Sequence, residues 1–80
     1  MSPTNFTEKQ GQYLAFIYAY TKVNRRPPAV NDLARYFEVR PPSAQRMLDE
    51  LVRKQLIDRQ RGQARSIRVL LNPEELPPLC

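Results

Sequence analysis

Val39-Arg40-Pro41-Pro42-Ser43-Ala44-Gln45-Arg46-Met47-Leu48-Asp49-Glu50-Leu51-Val52-Arg53-Lys54-Gln55-Leu56-Ile57 decides the reading of this chain. It predicts one amphipathic helix with a sharp start and a sharp stop. Pro41 and Pro42 supply the fixed φ that suits a first helical turn, where no backbone donor is needed. Ala44, Met47, Leu48, Leu51 and Val52 recur at helical spacing and define one face for burial. The other face opens with Ser43, Gln45 and Arg46, and Arg40 precedes it. At the far end Arg53 and Lys54 suit the negative end of the helix dipole.

Working outward, the residues before this helix predict a second, shorter one. Asn31 is read as its cap, Asp32 as favourable at its positive end, and Asp32 to Phe37 as its body. Leu33, Ala34 and Phe37 are its core-facing residues. Glu38-Val39-Arg40 then forms a three-residue turn, with Val39 expected to lock the angle between the two helices. A short helix, a tight turn and a longer helix with a polar leading edge make a helix-turn-helix. Arg40 stands where Ser or Thr would cap better, which suggests that it reaches outward to a phosphate or a base.

Further upstream, Thr7-Glu8-Lys9-Gln10 reads as a capping box. A first helix from about Glu8 to Val23 follows, with Tyr13, Leu14, Phe16, Ile17, Tyr20 and Thr21 as its apolar stripe. The clustered aromatic residues favour a core helix, with a stacking surface for single-stranded bases as the weaker reading. Tyr18 is the one expected to point outward. Asn24-Arg25-Arg26-Pro27-Pro28-Ala29-Val30 is a loop, because the residue before a proline leaves the helical region. Ala29-Val30 is short enough to add one bridge to a small sheet.

Downstream, residues 56–60 begin a strand and residues 66–71 alternate as its return, with Ile67, Val69 and Leu71 facing the core. The loop between them holds Arg61, Gly62, Gln63 and Arg65, and Gly62 is free to adopt positive φ. Residues 72–80 form a proline-rich tail. Leu76 and Leu79 either dock on the body or fray with the terminus.

Charge follows this layout. Residues 40–68 carry eight basic and three acidic side chains, whereas residues 69–80 carry only Glu74 and Glu75. Such clustering attracts polyanions, although a merely solvated basic surface would show the same count. At 80 residues the chain suits one small domain. With no histidine and only Cys80, it lacks the usual donor set for a metal and cannot form an internal disulfide. No apolar run approaches the roughly 18 residues of a membrane span, and no signal-peptide pattern opens the chain. A cytoplasmic protein without cofactor, metal or membrane partner is expected.

Catalysis finds no footing. Asp49 and Glu50 are adjacent on a helix and so diverge. Glu74 and Glu75 lie in the proline-flanked tail, and no Gly-rich phosphate loop is present. The expected chemistry is binding.

The order helix, helix, helix, hairpin is the winged helix-turn-helix arrangement, mainly α with a small antiparallel hairpin. Arg26-Pro-Pro-Ala-Val-Asn-Asp-Leu-Ala-Arg-Tyr-Phe-Glu-Val resembles the segment joining helices one and two in the DNA-binding domain of LexA-type repressors. Phe6-Thr-Glu-Lys-Gln resembles that domain's opening. The stretch from Val39 to Ile57 resembles the recognition helix and first wing strand of bacterial winged-helix regulators generally, the DtxR and MarR groups included.

The resemblance covers about residues 6–71. It implies a bacterial transcriptional regulator, of the repressor type, on duplex DNA. The third helix, about 41–55, would enter the major groove, and a wing of about 57–71 would lie on the backbone or minor groove. Carried onto this chain, the helix positions are Pro42, Ser43, Gln45 and Arg46, and the wing positions are Arg61, Gln63 and Arg65. From the residues themselves, Arg40 and Ser43 are expected to position the helix, and Lys22, Arg25 and Arg26 to add phosphate contacts if their loop faces the duplex. LexA-type repressors continue into a self-cleaving peptidase domain that these 80 residues do not contain, so a stand-alone binding domain is expected. Arg40 and the Gln45-Arg46 pair depart from the LexA reading set, so its operator does not transfer.

Such domains often pair on two half-sites. A homodimer would use the aromatic first helix or the Leu76–Leu79 tail. The alternative function is a protein-interaction module built on those same two features, with the arginines serving solubility.

Overall fold

In the computed structural model, which describes residues 6–60 and 65–79, three helices precede a small two-stranded sheet. They are α1 (Glu8–Asn24), α2 (Val30–Phe37) and α3 (Pro41–Arg53). Strands β1 (Ile57–Asp58) and β2 (Arg68–Val69) pair antiparallel, with Ile57 opposite Val69 and Asp58 opposite Arg68. A single 3-10 turn at Pro73–Glu75 follows. This is a mainly helical winged helix-turn-helix. Wing-tip residues Arg61, Gly62 and Gln63 lie outside the described residues.

The capping box at Thr7 forms as the sequence predicts. The Gln10 amide donates to Thr7 Oγ1 at 3.2 Å, and the Thr7 amide donates to Gln10 Oε1 at 3.1 Å. Lys54 Nζ, just past the end of α3, donates to the same Gln10 oxygen at 2.9 Å. A buried glutamine thus ties the start of α1 to the end of α3.

The α1 helix is the central post. Tyr13, Leu14 and Ile17 are fully buried and join Leu33, Leu48, Leu51, Leu56, Ile57 and Ile67 in one core. Its aromatic residues pair with those of α2: the Tyr13 and Phe37 rings stack at 4.1 Å and Phe16 stacks on Tyr36 at 4.4 Å. The aromatic cluster is therefore inter-helix packing, and stacked pairs of this kind add about 0.5–1.5 kcal/mol beyond their buried area. Tyr18 does not point outward as expected. It is half-buried and lines a groove with Thr21, Pro27, Ile67 and Val69.

The start of α2 also differs from the sequence reading. Asn31 is not the cap; the helix begins at Val30, with Ala29 in the cap position. Alanine has no side-chain acceptor, but Asp32 at the third helical position accepts from the Ala29 amide at 2.8 Å. This is the reciprocal half of a capping box, and it suffices to start the helix two residues early. Ala29 and Val30 consequently form no bridge with the sheet, whose strands are β1 and β2 alone among the described residues.

A residue at positive φ closes each α-helix, Arg25 and Glu38 directly after α1 and α2 and Gln55 one residue past the Lys54 cap of α3. None is glycine. At the end of α3 the Leu56 amide returns to the Leu51 carbonyl at 3.0 Å and the Gln55 amide to Val52 at 2.9 Å, a Schellman closure sealed by Leu51 and Leu56 in the core. The same pattern at Glu38, with the Val39 amide on the Ala34 carbonyl at 2.9 Å, makes the turn between α2 and α3. Val39 packs against the core there, as expected.

Among the described residues both strands are shorter than the alternation suggested. Two residue pairs make the ladder, and the Leu70 amide adds one bond to the Leu56 carbonyl. Beyond Asp58 the ladder gives way to a side-chain clamp, in which Ser66 Oγ accepts from the Gln60 amide and donates to the Gln60 carbonyl. Ile67 is buried, and Val69 and Leu71 pack against the core from that face. The tail docks: Leu76 packs on the core and Gln12 Nε2 donates to the Pro78 carbonyl at 2.9 Å.

Candidate nucleic-acid interface

The outward face of α3 is set by what its inward face buries. Ala44, Leu48 and Leu51 are fully enclosed and Met47 half so. Val52, expected among them, is 38% exposed. At 100° per residue it lies at the margin of the stripe rather than its centre. Arg46 points away from that stripe. It is exposed and has no ion pair or hydrogen bond among the described residues. Pro42 and Ser43 are exposed one turn earlier, and Gln45 is half-buried at the side.

Arg40 occupies the N-cap without any side-chain capping bond. The poorer capping expected from the residue type carries no penalty here. A capping side chain serves the second or third helical amide. The second is Pro42, which has none, and the third, Ser43, already donates to the Arg40 carbonyl at 2.9 Å. The two prolines remove the demand for a cap, so Arg40 is exposed at no local penalty.

No acid occupies the first turn of α3. The first carboxylate along the helix is Asp49, and it is engaged. Its Oδ1 accepts from Gln45 Nε2 at 3.2 Å and lies 3.9 Å from Arg59 Nη1 on the strand side of the wing. Further on, Glu50 pairs with Arg53, so the trailing cation is neutralised while the leading ones are not.

Arg61 and Gln63 fall outside the described residues. Arg65 turns toward the body. Its Nη1 lies 3.0 Å from Asp32 Oδ2, and 3.2 Å from both Tyr20 Oη and the Pro27 carbonyl. One guanidinium thereby joins the end of α1, the following loop, the start of α2 and the base of the wing. The Ala29 amide first, then the Arg65 charge and the Tyr20 hydroxyl, hold the Asp32 carboxyl below its ordinary pKa against the opposing effect of burial. Sequence reasoning missed this network because its members are separated by up to 45 positions. Asp32 carried the one local signal.

Arg25 and Arg26 are exposed in the loop that includes Pro27, and so stand beside the wing base that Arg65 anchors. Lys22 lies 5.6 Å over the Tyr18 ring. Cations thus mark two places: the leading edge of α3, and the loop beside the wing. Such an arrangement suits a polyanion with regularly spaced charges.

Comparison with known proteins agrees with the geometry. The family described as "Iron dependent repressor, N-terminal DNA binding domain" matches residues 5–64. The LexA repressor of Thermotoga neapolitana is 36% identical over 75 residues, covering 94% of this chain and 38% of that repressor. The LexA repressors of Thermotoga petrophila and Thermotoga maritima are 37% and 35% identical over 65 residues, covering 81% of this chain and 33% of each repressor. The chain therefore spans about a third of the length of the curated relatives it matches.

Proposed function

The chain belongs to the family of iron-dependent repressor N-terminal DNA-binding domains, and from that premise we propose that it is a sequence-specific regulator of transcription acting on duplex DNA. The carrying observation is Arg46, exposed without a partner among the described residues on the outward face of the second helix of a helix-turn-helix. In this reading α3 lies in the major groove. Arg46 reads a base edge, for which guanine O6 and N7 are the best match, and Gln45 reads adenine. Arg40, Pro42 and Ser43 seat the leading end of the helix. Arg25 and Arg26 contact phosphates, as do Arg61 and Gln63 of the wing tip. Arg65 contributes by fixing the base of the wing.

The family description names iron, and the donor chemistry bears on that. Among the described residues no three His, Cys, Asp or Glu side chains converge as metal ligands would. These residues do not fit an iron centre, and none of the contacts above depends on one. No described helix is long and apolar enough to cross a membrane.

Against the protein-interaction alternative stand Tyr13 and Phe16 of α1, which pack on Phe37 and Tyr36 of α2, and Leu76, which packs on the core. Selection of bound sequences from a random duplex pool tests the proposal. Enrichment of a defined site is expected. Recovery of no common sequence would contradict it.

A further inference from the structure

A carboxylate on the middle of a DNA-facing helix repels phosphate and needs a reason to be there. The contacts of Asp49 supply one. Its Oδ1 takes a hydrogen bond from Gln45 Nε2 at 3.2 Å and faces Arg59 Nη1 at 3.9 Å. An ionised carboxylate accepts and cannot donate, so the Gln45 amide nitrogen must be the group turned toward Asp49. That leaves the Gln45 carbonyl oxygen and its second N–H uncommitted by Asp49. One acceptor and one donor on a planar amide is the set that pairs with adenine N6 and N7 in the major groove.

We propose that Asp49 is a positioning residue: it fixes the Gln45 amide in its adenine-reading orientation and, through Arg59, ties that orientation to the wing. The inference rests on the duplex-reading function proposed above. Arg59 is well suited to the tie. It follows β1, and its side chain is only 19% exposed, against 68% for Asp49, so the cation lies against the body of the domain while the acid faces out. A helix residue and a wing residue thereby converge on one carboxylate oxygen. A shift of the wing's first strand would loosen Gln45 without touching Arg46, which has no such link among the described residues.

The gain is preorganisation. A free glutamine must be immobilised when it reads a base, and holding it in advance avoids that cost. Loss of Asp49 is expected to weaken the adenine preference by about two- to tenfold, the equivalent of immobilising one long side chain.

The experiment is selection from a random duplex pool with wild type, Gln45→Ala, Asp49→Ala, Asp49→Asn and Arg59→Ala, with a thermal melt of each to verify folding. A pool from which wild type enriches nothing sinks the DNA-reading function itself, and Asp49 falls with it. With a wild-type site in hand, Gln45→Ala is expected to relax one position. Asp49→Ala should relax that same position and leave the Arg46-read position intact. Asp49→Asn, whose amide oxygen can still accept from Gln45, should retain most of the preference. Arg59→Ala should fall between them. Relaxation at a different position would make Asp49 a base contact in its own right and overturn the proposal. An unchanged Gln45 position in Asp49→Ala would overturn it equally, as would Gln45→Ala relaxing no position.

Discussion

Arg65 and Asp32, 33 positions apart in the chain, meet at 3.0 Å and share Tyr20 and the Pro27 carbonyl around them. The contact fastens the base of the wing to the start of the helix-turn-helix. Asp32 does two jobs with one carboxylate, since the same oxygen accepts from the Ala29 amide that opens α2.

Removing either partner therefore has unequal effects. Asp32→Ala loses both the helix start and the tie to the wing, and should destabilise the domain by about 1–2 kcal/mol, at the upper range for a lost cap. Arg65→Ala loses the partly exposed pair and the charge-assisted bonds to Tyr20 and Pro27 but leaves the helix start intact, and should destabilise the domain less than Asp32→Ala. Urea unfolding of the two variants against wild type checks the order.

The same carboxyl gives a pH dependence. Its folded pKa is held below the ordinary value, chiefly by the Ala29 amide and then by Arg65 and Tyr20. A depressed carboxyl binds fewer protons in the folded state than in the unfolded one, so its contribution is fully present above the unfolded pKa. It fades as pH falls from there through the lowered folded value. Chemical denaturation between neutral pH and acid should show wild type losing stability faster than Asp32→Asn across that window.

Gly11 offers a packing test. A methyl group there would lie 2.9 Å from Phe6 Cε1 and 3.0 Å from Pro77 Cγ. Alanine is favoured over glycine in a helix by about 1 kcal/mol, but this site has no room for it. Overpacking costs about 1–3 kcal/mol, so Gly11→Ala should lower the melting temperature and increase amide exchange in the tail that Pro77 docks. A rise in melting temperature would show that the tail yields at no cost.

The three helix ends at positive φ predict the opposite sign. Glu38 and Gln55 hold left-handed conformations that cost a non-glycine residue about 1–2 kcal/mol. Glycine carries no such strain but loses more entropy on folding. Gln55→Gly should stabilise the domain by a net of about 0.5–1 kcal/mol, and Glu38→Gly should act similarly within the turn between α2 and α3. Thermal melts of both variants measure this.

Much of the fold was legible because its signals are local. The Thr7–Gln10 box, the Pro41-Pro42 entry and the period of Ala44, Leu48 and Leu51 each lie within a turn or two of helix. The misreadings arose where a local rule met a competing group. Asn31 is a better cap than Ala29 by residue type, yet Asp32 reached back and started the helix earlier. Arg40 looked like a poor cap until Pro42 and Ser43 removed the need for one. Within the candidate interface, the outward set of Arg40, Pro42, Ser43 and Arg46 followed from helix periodicity. The inward turn of Arg65 and the hold of Asp49 on Gln45 did not. The first depends on side chains brought together only by folding. The second is a local pair whose meaning appears only beside Arg59.

Binding of wild type and Arg46→Ala to a selected duplex, and to the same duplex with the Arg46-read base pair exchanged, followed by anisotropy across a salt titration, tests the reading of DNA by α3 most directly. Wild type should discriminate between the two duplexes. Arg46→Ala should bind the selected one more weakly by about 1–3 kcal/mol and no longer tell them apart. An Arg46→Ala variant that binds as tightly and as selectively as wild type would contradict the assignment of α3 as the reading helix.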